Sequence, residues 1–385
     1  MTNRREFLKD LAGATTGIFF ASCGLASAAE SIQPAATARR EIAIGGRRLR
    51  TIDVHAHCVV DIRDLVKAYY DAHPIQSNAS GGFVADPFAD MKRPMFMNPS
   101  SVEARLRYMD QRGIDMQAVS LLPGYNYSYW ADRELASEIV QRQNEQITQL
   151  CADHTDRFVG LGAVAIQHPE LAVQQMEYAV KKLNLRGFEV GGSINGEELS
   201  AQRFNPFWAK AEELGILIFI HPDSFIEGAR RFQGNGVLDN VIGNPLETAV
   251  ALSHLIFEGT LDRYPGVKIC AAHGGGYLGS YSGRADHCAE ASPFCKPVKK
   301  RPSEYFKQQI YCDSLVFTAE GIRHLVAEFG ADRILFGTDY PASMSSNRMG
   351  DDRGVDTILG VSELSDFQKA DILGRNAAQL LGIKS

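Results

Sequence analysis

Residues 51–58 read TIDVHAHC. Thr51, Ile52 and Val54 are β-branched, the type that packs best on a pleated strand, and they make 51–55 a strand candidate. Side chains two apart on a strand face the same way, so His55 and His57 aim their imidazoles at one point just past the strand's end.

Seven more short apolar runs follow, at 116–121, 158–164, 186–190, 216–221, 267–273, 309–313 and 333–338. Stretches with helical spacing separate them, at 132–151, 169–183, 205–214, 245–263 and 318–329. Eight strands alternating with helices predict an α/β protein, a (β/α)8 TIM barrel over residues 46–385. A doubly wound open sheet is the alternative, but no GxGxxG turn follows the first strand. Two connections exceed the usual length, 58–99 after the first strand and 224–244 after the fifth. Insertions of that size are commonly functional, and both fall on the C-terminal face of the barrel, where barrel enzymes build their sites.

The strand ends carry the candidate chemistry. His221 closes the fifth strand, His273 closes the sixth, and Asp339 follows the eighth in Gly337-Thr338-Asp339. A closed barrel lays its eighth strand beside its first, which draws Asp339 toward His55 and His57. Four imidazoles and a carboxylate on one rim make a divalent metal site with one residue left for catalysis. Nitrogen and oxygen donors suit Zn²⁺ and its neighbours, and the lack of thiolate argues against a closed structural zinc site. A catalytic site keeps one position open for water, whose pKa falls to about 7. His73, His154, His168, His254, His287 and His324 lie in loops or helices and read as ordinary core or surface residues.

The chain has 385 residues, 45% of them hydrophobic and 22% charged, which suits a globular protein able to bury a large core. Its formal charge is -6, and no basic face is interleaved with aromatics, which excludes nucleic acid as a partner. The first 28 residues differ from the rest. Arg4-Arg5 precedes an apolar stretch over 11–22 and the small-residue site Ala26-Ser27-Ala28, the order of an export signal of the twin-arginine class. That predicts a periplasmic protein with a linker over 29–45. Phe20-Ala21-Ser22-Cys23 offers a second processing route, with a lipid anchor at Cys23. Cys288 and Cys295 are close enough in sequence to pair, whereas Cys270 and Cys312 sit in apolar runs and read as buried hydrophobes.

Five stretches together resemble the amidohydrolase-2 family, in the branch that includes aminocarboxymuconate-semialdehyde decarboxylase. They are IDVHAH (52–57), RFNPFWAKAEELGILIFIHP (203–222), RYPGVKICAAHGGG (263–276), RILFGTDYP (333–341) and RNAAQLLGI (375–383). The resemblance implies that His55, His57, His221 and Asp339 hold a zinc ion and that His273 acts on the metal-bound water. It implies that Arg284 clamps a substrate carboxylate, in some members from a neighbouring subunit, which would make a homodimer. It also implies non-oxidative decarboxylation of an unsaturated or aromatic carboxylic acid, with His273 or Asp339 as the proton donor. Hydrolysis of a C–N, C–O or C–C bond is the alternative, and a metal-binding envelope protein without catalysis is the third. One departure bears on metal count. Binuclear members carry a lysine on the fourth strand, and here that strand, 186–190, has none, so one metal is expected, with Glu189 as a bridge if there are two. The 58–99 insertion supplies Arg63, Lys92 and Arg93 as anion-binding candidates, and Tyr125, Tyr127, Tyr129 and Trp130 offer an aromatic wall.

Overall fold

The computed structural model describes residues 39–72, 99–123, 127–232, 237–292, 298–341 and 350–384. All eight expected strands lie in one sheet: β1 (Ile52–Cys58), β2 (Met116–Leu121), β3 (Phe158–Gly162), β4 (Gly187–Val190), β5 (Leu217–Ile220), β6 (Lys268–Ala271), β7 (Ile310–Asp313) and β8 (Ile334–Leu335). Neighbours are parallel throughout. The sheet then closes on itself. Val54 donates to the Phe336 carbonyl at 2.8 Å, Asp339 to that of His55 at 2.8 Å, and His57 to that of Tyr340 at 2.6 Å. Closure between β8 and β1 rules out the open sheet and makes the (β/α)8 barrel. The described residues form one compact unit.

The interior follows from strand alternation. Leu217 and Phe219 on β5, Val159 and Leu161 on β3, and Cys270 and Ala272 from β6 join one buried cluster. Their alternates, such as Ile218, Ile220, Ile269 and Ala271, pack outward with the helices. β1 breaks this rule. Ile52 and Val54 belong to the inner cluster, yet Ala56 and Cys58 belong to the outer one. The register slips between Asp53 and Ala56, so three steps along β1 match two along β2. Such a bulge re-aims the side chains beyond it, and here it turns both His55 and His57 inward.

Element ends shift from the sequence expectation for identifiable reasons. β3 stops at Gly162 because Asn144, from the helix Arg133–Asp153, takes over at Ala163: its Oδ1 accepts from Ala163 N at 2.8 Å and its Nδ2 donates to Ala163 O at 3.0 Å. β8 pairs with β7 at Ile334 and Leu335 and stops there, since the Phe336 amide donates to Ile372 O at 3.0 Å instead. The helix expected over 245–263 divides into Asn244–Phe257 and Thr260–Arg263 at Gly259, whose φ of 73° is left-handed. Asp132 and Thr318 each cap the next helix, accepting from Leu135 N and Gly321 N.

The described end of the expected linker, 39–45, is not free chain. Ile42–Ile44 pairs antiparallel with Arg47–Leu49, so ordered structure starts before residue 46. The 58–99 connection contains the helix Arg63–Ala72, and 224–244 contains helical turns at Ile226–Arg231 and Asp239–Gly243. The export signal over 1–28 with Cys23, and also His73, Lys92, Arg93, Tyr125 and Cys295, lie outside the described residues. Among the described residues, no helix is long and apolar enough to cross a membrane. Cys270 and Cys312 are buried, as expected.

Asp115 ties the entry of β1 to this frame. Its carboxylate accepts from Thr51 N at 2.8 Å and from Arg48 at 2.6 and 3.0 Å, and Arg39 lies 2.7 Å away. Burial alone would raise the carboxyl; the Arg48 hydrogen bonds, the Thr51 amide and the Arg39 and Arg48 charges outweigh it and hold it below its ordinary value. Asp115→Ala should therefore cost about 3 kcal/mol in denaturant unfolding, since it strands the buried Thr51 amide. A carboxyl depressed by folding stabilises fully above its unfolded value of about 4 and loses that contribution as pH falls through the lower folded value. The difference between wild type and variant should accordingly be flat from neutral pH to about 5 and shrink below about 4. A difference unchanged down to pH 2 would contradict this account.

Candidate metal centre

Five side chains from four strand ends meet at the rim. β1 supplies His55 and His57, the residue after β5 is His221, the turn after β6 begins with His273, and Asp339 stands where the chain leaves β8. The rings of His55, His57 and His221 lie with centroids 4.9 Å apart in every pair, and His273 is 4.9 Å from His221 and 5.3 Å from His55. The Nε2 atoms of His55 and His57 are 3.0 Å apart, and Asp339 Oδ1 is 3.6 and 3.5 Å from them. His55, His57, His221 and Asp339 are buried and His273 is half-buried. Phe219 forms an apolar floor, its ring 5.2 Å from His55.

The far nitrogen of each inner ring is already engaged. His55 Nδ1 donates to Asp313 Oδ2 at 2.7 Å, and His221 Nδ1 donates to the Pro222 carbonyl at 2.8 Å. His57 Nδ1 stands 3.2 Å from Ser120 Oγ and 3.5 Å from Glu189 Oε2. These contacts leave the three Nε2 atoms pointing at common space. His221 Nε2 and His273 Nδ1 are buried with no hydrogen-bond partner among the described residues.

Electrostatics fits this arrangement. Burial, and then the charge on His55, pushes His57 well below the ordinary imidazole value and His273 to about 4. Burial and the neighbouring imidazoles do the same to His221. Burial lowers His55 too, but the Asp313 hydrogen bond and the charges of Asp339, Asp313 and Asp53 overcome it and set it at about 9. Burial raises Asp339 to about 6. The pocket thus keeps His57, His221 and His273 neutral with lone pairs available, while His55 gives up its Nε2 proton when it binds an ion. Metal ligands about 2.1 Å from a common ion and 90–109° apart stand about 3.0–3.4 Å from one another. The observed 3.0 Å falls in that range and 3.5 and 3.6 Å lie just above it, so the donor set suits a divalent ion.

Not every expected residue arrives. Arg284 is exposed, on the helix Ser282–Ala291, which buries none of its side chains. Arg63 pairs with Asp61 at 2.7 Å on the surface. Trp130 stacks on Tyr69, with centroids 3.4 Å apart. Tyr127 does reach the site: its hydroxyl lies 2.8 Å from the His221 carbonyl and 3.1 Å from Glu189 Oε1, and its ring stacks on Tyr129. His254 pairs with Glu258 at 2.8 Å, and His168 Nε2 meets the Ala131 carbonyl at 3.1 Å, the ordinary roles expected of them.

Sequence reading missed the supports. Asp313 was legible only as a strand end. Behind the site, Arg105 donates to Gln117 Oε1 at 3.1 Å and to the His57 carbonyl, and lies 4.2 Å over the Tyr340 ring. Gln117 passes the contact to Asp53 at 2.9 Å, and Asp53 accepts from Thr338 Oγ1 at 2.7 Å and from His55 N at 3.1 Å. A buried cation and a buried carboxylate are thus joined through an amide whose two ends match them. Asp339 and His273 hold left-handed backbone, φ 57° and 54°, which costs on the order of 1–3 kcal/mol each and persists only where surroundings enforce it.

The sequence profile of the amidohydrolase family matches residues 52–383. The chain belongs to that family. It is 32% identical over 283 residues to the 2-amino-3-carboxymuconate-6-semialdehyde decarboxylase of Dictyostelium discoideum, covering 73% of this chain and 76% of the relative. It is 30% identical over 288 residues to the gamma-resorcylate decarboxylase of Rhodococcus jostii, covering 70% and 85%. Among solved structures it resembles the dihydroxybenzoic acid decarboxylase of a Polaromonas species, which holds manganese and the inhibitor 2-nitroresorcinol. That match has a TM-score of 0.72 at 26% identity and covers 87% of this chain and 97% of the other.

The buried support behind the rim can be tested without a substrate. Arg105→Ala leaves Gln117 Oε1 and the His57 carbonyl without their donor. It should lower the unfolding free energy by about 3 kcal/mol or more. Equilibrium denaturation of the two proteins side by side measures this, and a loss below about 1 kcal/mol, the level of a surface ion pair, would refute the assignment.

Proposed function

We propose that this chain is a metal-dependent decarboxylase that releases CO₂ from a small aromatic or unsaturated carboxylic acid without redox chemistry. The observation that carries the reading is the convergence of three imidazole Nε2 atoms, Asp339 and a neutral His273 in one buried rim site, in a chain whose relatives at 30–32% identity are decarboxylases. His55, His57, His221 and Asp339 would hold one divalent ion. A fourth strand without a lysine, its Glu189 directed at His57 and Tyr127, supports one ion rather than two. Zinc is our first choice for a set of three imidazoles and one carboxylate, and manganese accepts the same donors.

When bound, the ion supplies a Lewis-acid charge that binds the substrate's oxygens and stabilises the negative charge left as CO₂ departs. The protein residues do the rest. The C–C bond to the carboxylate breaks and its electron pair stays on the ring or chain carbon. A proton from Asp339 or His273 closes the balance at that carbon. Asp339 is placed for this at the histidine cluster, its Oδ1 3.5 Å from His57 Nε2 and 3.6 Å from His55 Nε2. His273, which burial lowers to about 4, is neutral at pH 7 and can accept or relay the proton through its Nδ1, which has no hydrogen-bond partner among the described residues. Tyr127 and Phe219 supply apolar walls that keep water from the carbanion. Arg284 remains the proposed carboxylate clamp, reaching the site of a second copy, since on its own chain it stands on a helix with no buried side chain. The export signal read over residues 1–28 makes the proposed reaction a periplasmic one, with Cys23 as the alternative anchoring point.

The test is CO₂ release by the zinc- or manganese-loaded protein on a panel of hydroxybenzoic and muconate-type acids. Release should fall by roughly 10²–10⁴-fold in His273→Ala. It should also vanish after chelation and return with metal. A protein that binds metal tightly yet releases CO₂ from none of these acids would overturn decarboxylation, and incorporation of water oxygen into the acid formed from an amide or lactone would then establish hydrolysis.

A further inference from the structure

The carboxylate of Asp313, at the end of β7, is surrounded by four donors. Oδ2 accepts from His55 Nδ1 at 2.7 Å and from the His273 amide at 3.0 Å. Oδ1 accepts from the Gly274 amide at 2.8 Å and from the Leu315 amide at 3.1 Å. The side chain is fully buried. The amides reach it because residues 273–276 run through consecutive positive φ values of 54°, 65°, 75° and 64°. A tight turn of this kind curls successive N–H groups, here those of His273 and Gly274, into a concavity that takes an anion, and Asp313 fills it. Glycine is required in this run: a Cβ on Gly276 would lie 2.1 Å from the Pro245 carbonyl, and one on Gly274 would lie 2.7 Å from Val316.

We infer that Asp313 is a positioning residue that couples two functions of the site, fixing His55 with its Nε2 turned to the ion and holding His273 in its left-handed turn. This rests on the metal assignment proposed above. The argument is one of donors and acceptors. Each oxygen faces two N–H groups, so only a carboxylate satisfies all four. An asparagine has one oxygen. If its NH₂ faces His55, two donors oppose each other and the ring must move or change tautomer, which takes the Nε2 lone pair from the ion. If its NH₂ faces Gly274 and Leu315, the turn carrying His273 is pushed out. Carboxylate partners of metal-bound histidines act in this way, and their loss costs about 10–100-fold in metal affinity.

The experiment compares wild type with Asp313→Asn by competition of bound Zn²⁺ or Mn²⁺ against a chelator, with circular dichroism of the metal-free proteins to check the fold. Binding 10–100-fold weaker in a folded variant supports the role, and affinity within about twofold of wild type overturns it. If the variant does not fold, proton and nitrogen NMR of the metal-free wild type decides instead: a strongly downfield, exchange-protected His55 Nδ1 proton supports the contact, and its absence overturns it. Wild type that binds neither metal would sink the metal assignment alone, since the His55 proton still reports on Asp313.

Discussion

The seam between β8 and β1 is the constraint on which the rest depends. Three backbone hydrogen bonds close it: Val54 to Phe336, Asp339 to His55 and His57 to Tyr340. Residues from the two ends of the barrel's sequence thereby become neighbours, and Asp339 is delivered to the histidine pair by the chain's own hydrogen bonding. Without that closure β1 and β8 would be the two edges of an open sheet, with the carboxylate and the imidazoles on opposite sides of the molecule. The metal-type site is in this sense a product of barrel closure.

A rim crowded with imidazoles and carboxylates is costly to bury, and the protein offsets that cost with a second ring of polar groups. Asp313 faces His55, Ser120 faces His57 and the Pro222 carbonyl faces His221. Arg105, Gln117, Asp53 and Thr338 form a further chain behind them. Each buried donor in this chain meets an acceptor, which is the condition for a buried polar network to stabilise rather than destabilise. The same network turns every Nε2 toward one place, so the groups that make burial tolerable also orient the chemistry. Family membership and the decarboxylase relatives agree with that arrangement.

Much of this was legible in sequence. Eight alternating strands and helices predicted the barrel. The HxH spacing, the strand-end positions of His221 and His273, and Asp339 after the last strand assembled the same five residues that the fold brings together. These readings worked because they depend on local periodicity and on the rule that a closed barrel gathers its strand ends on one face. The helix at 245–263 was less legible, since its break comes at one glycine rather than at a change of pattern.

The sequence by itself determined the strands, the barrel class and the inner donors, because these follow from short-range patterns and from strand order. Only the tertiary structure decided the bulge that turns Val54 and His55 both inward, the buried partners Asp313, Arg105 and Gln117, and the exposure of Arg284. These depend on which distant groups share a volume after closure. An aspartate in a strand, an arginine on a helix and a glutamine between them carry no local mark of being one another's hydrogen-bond partners.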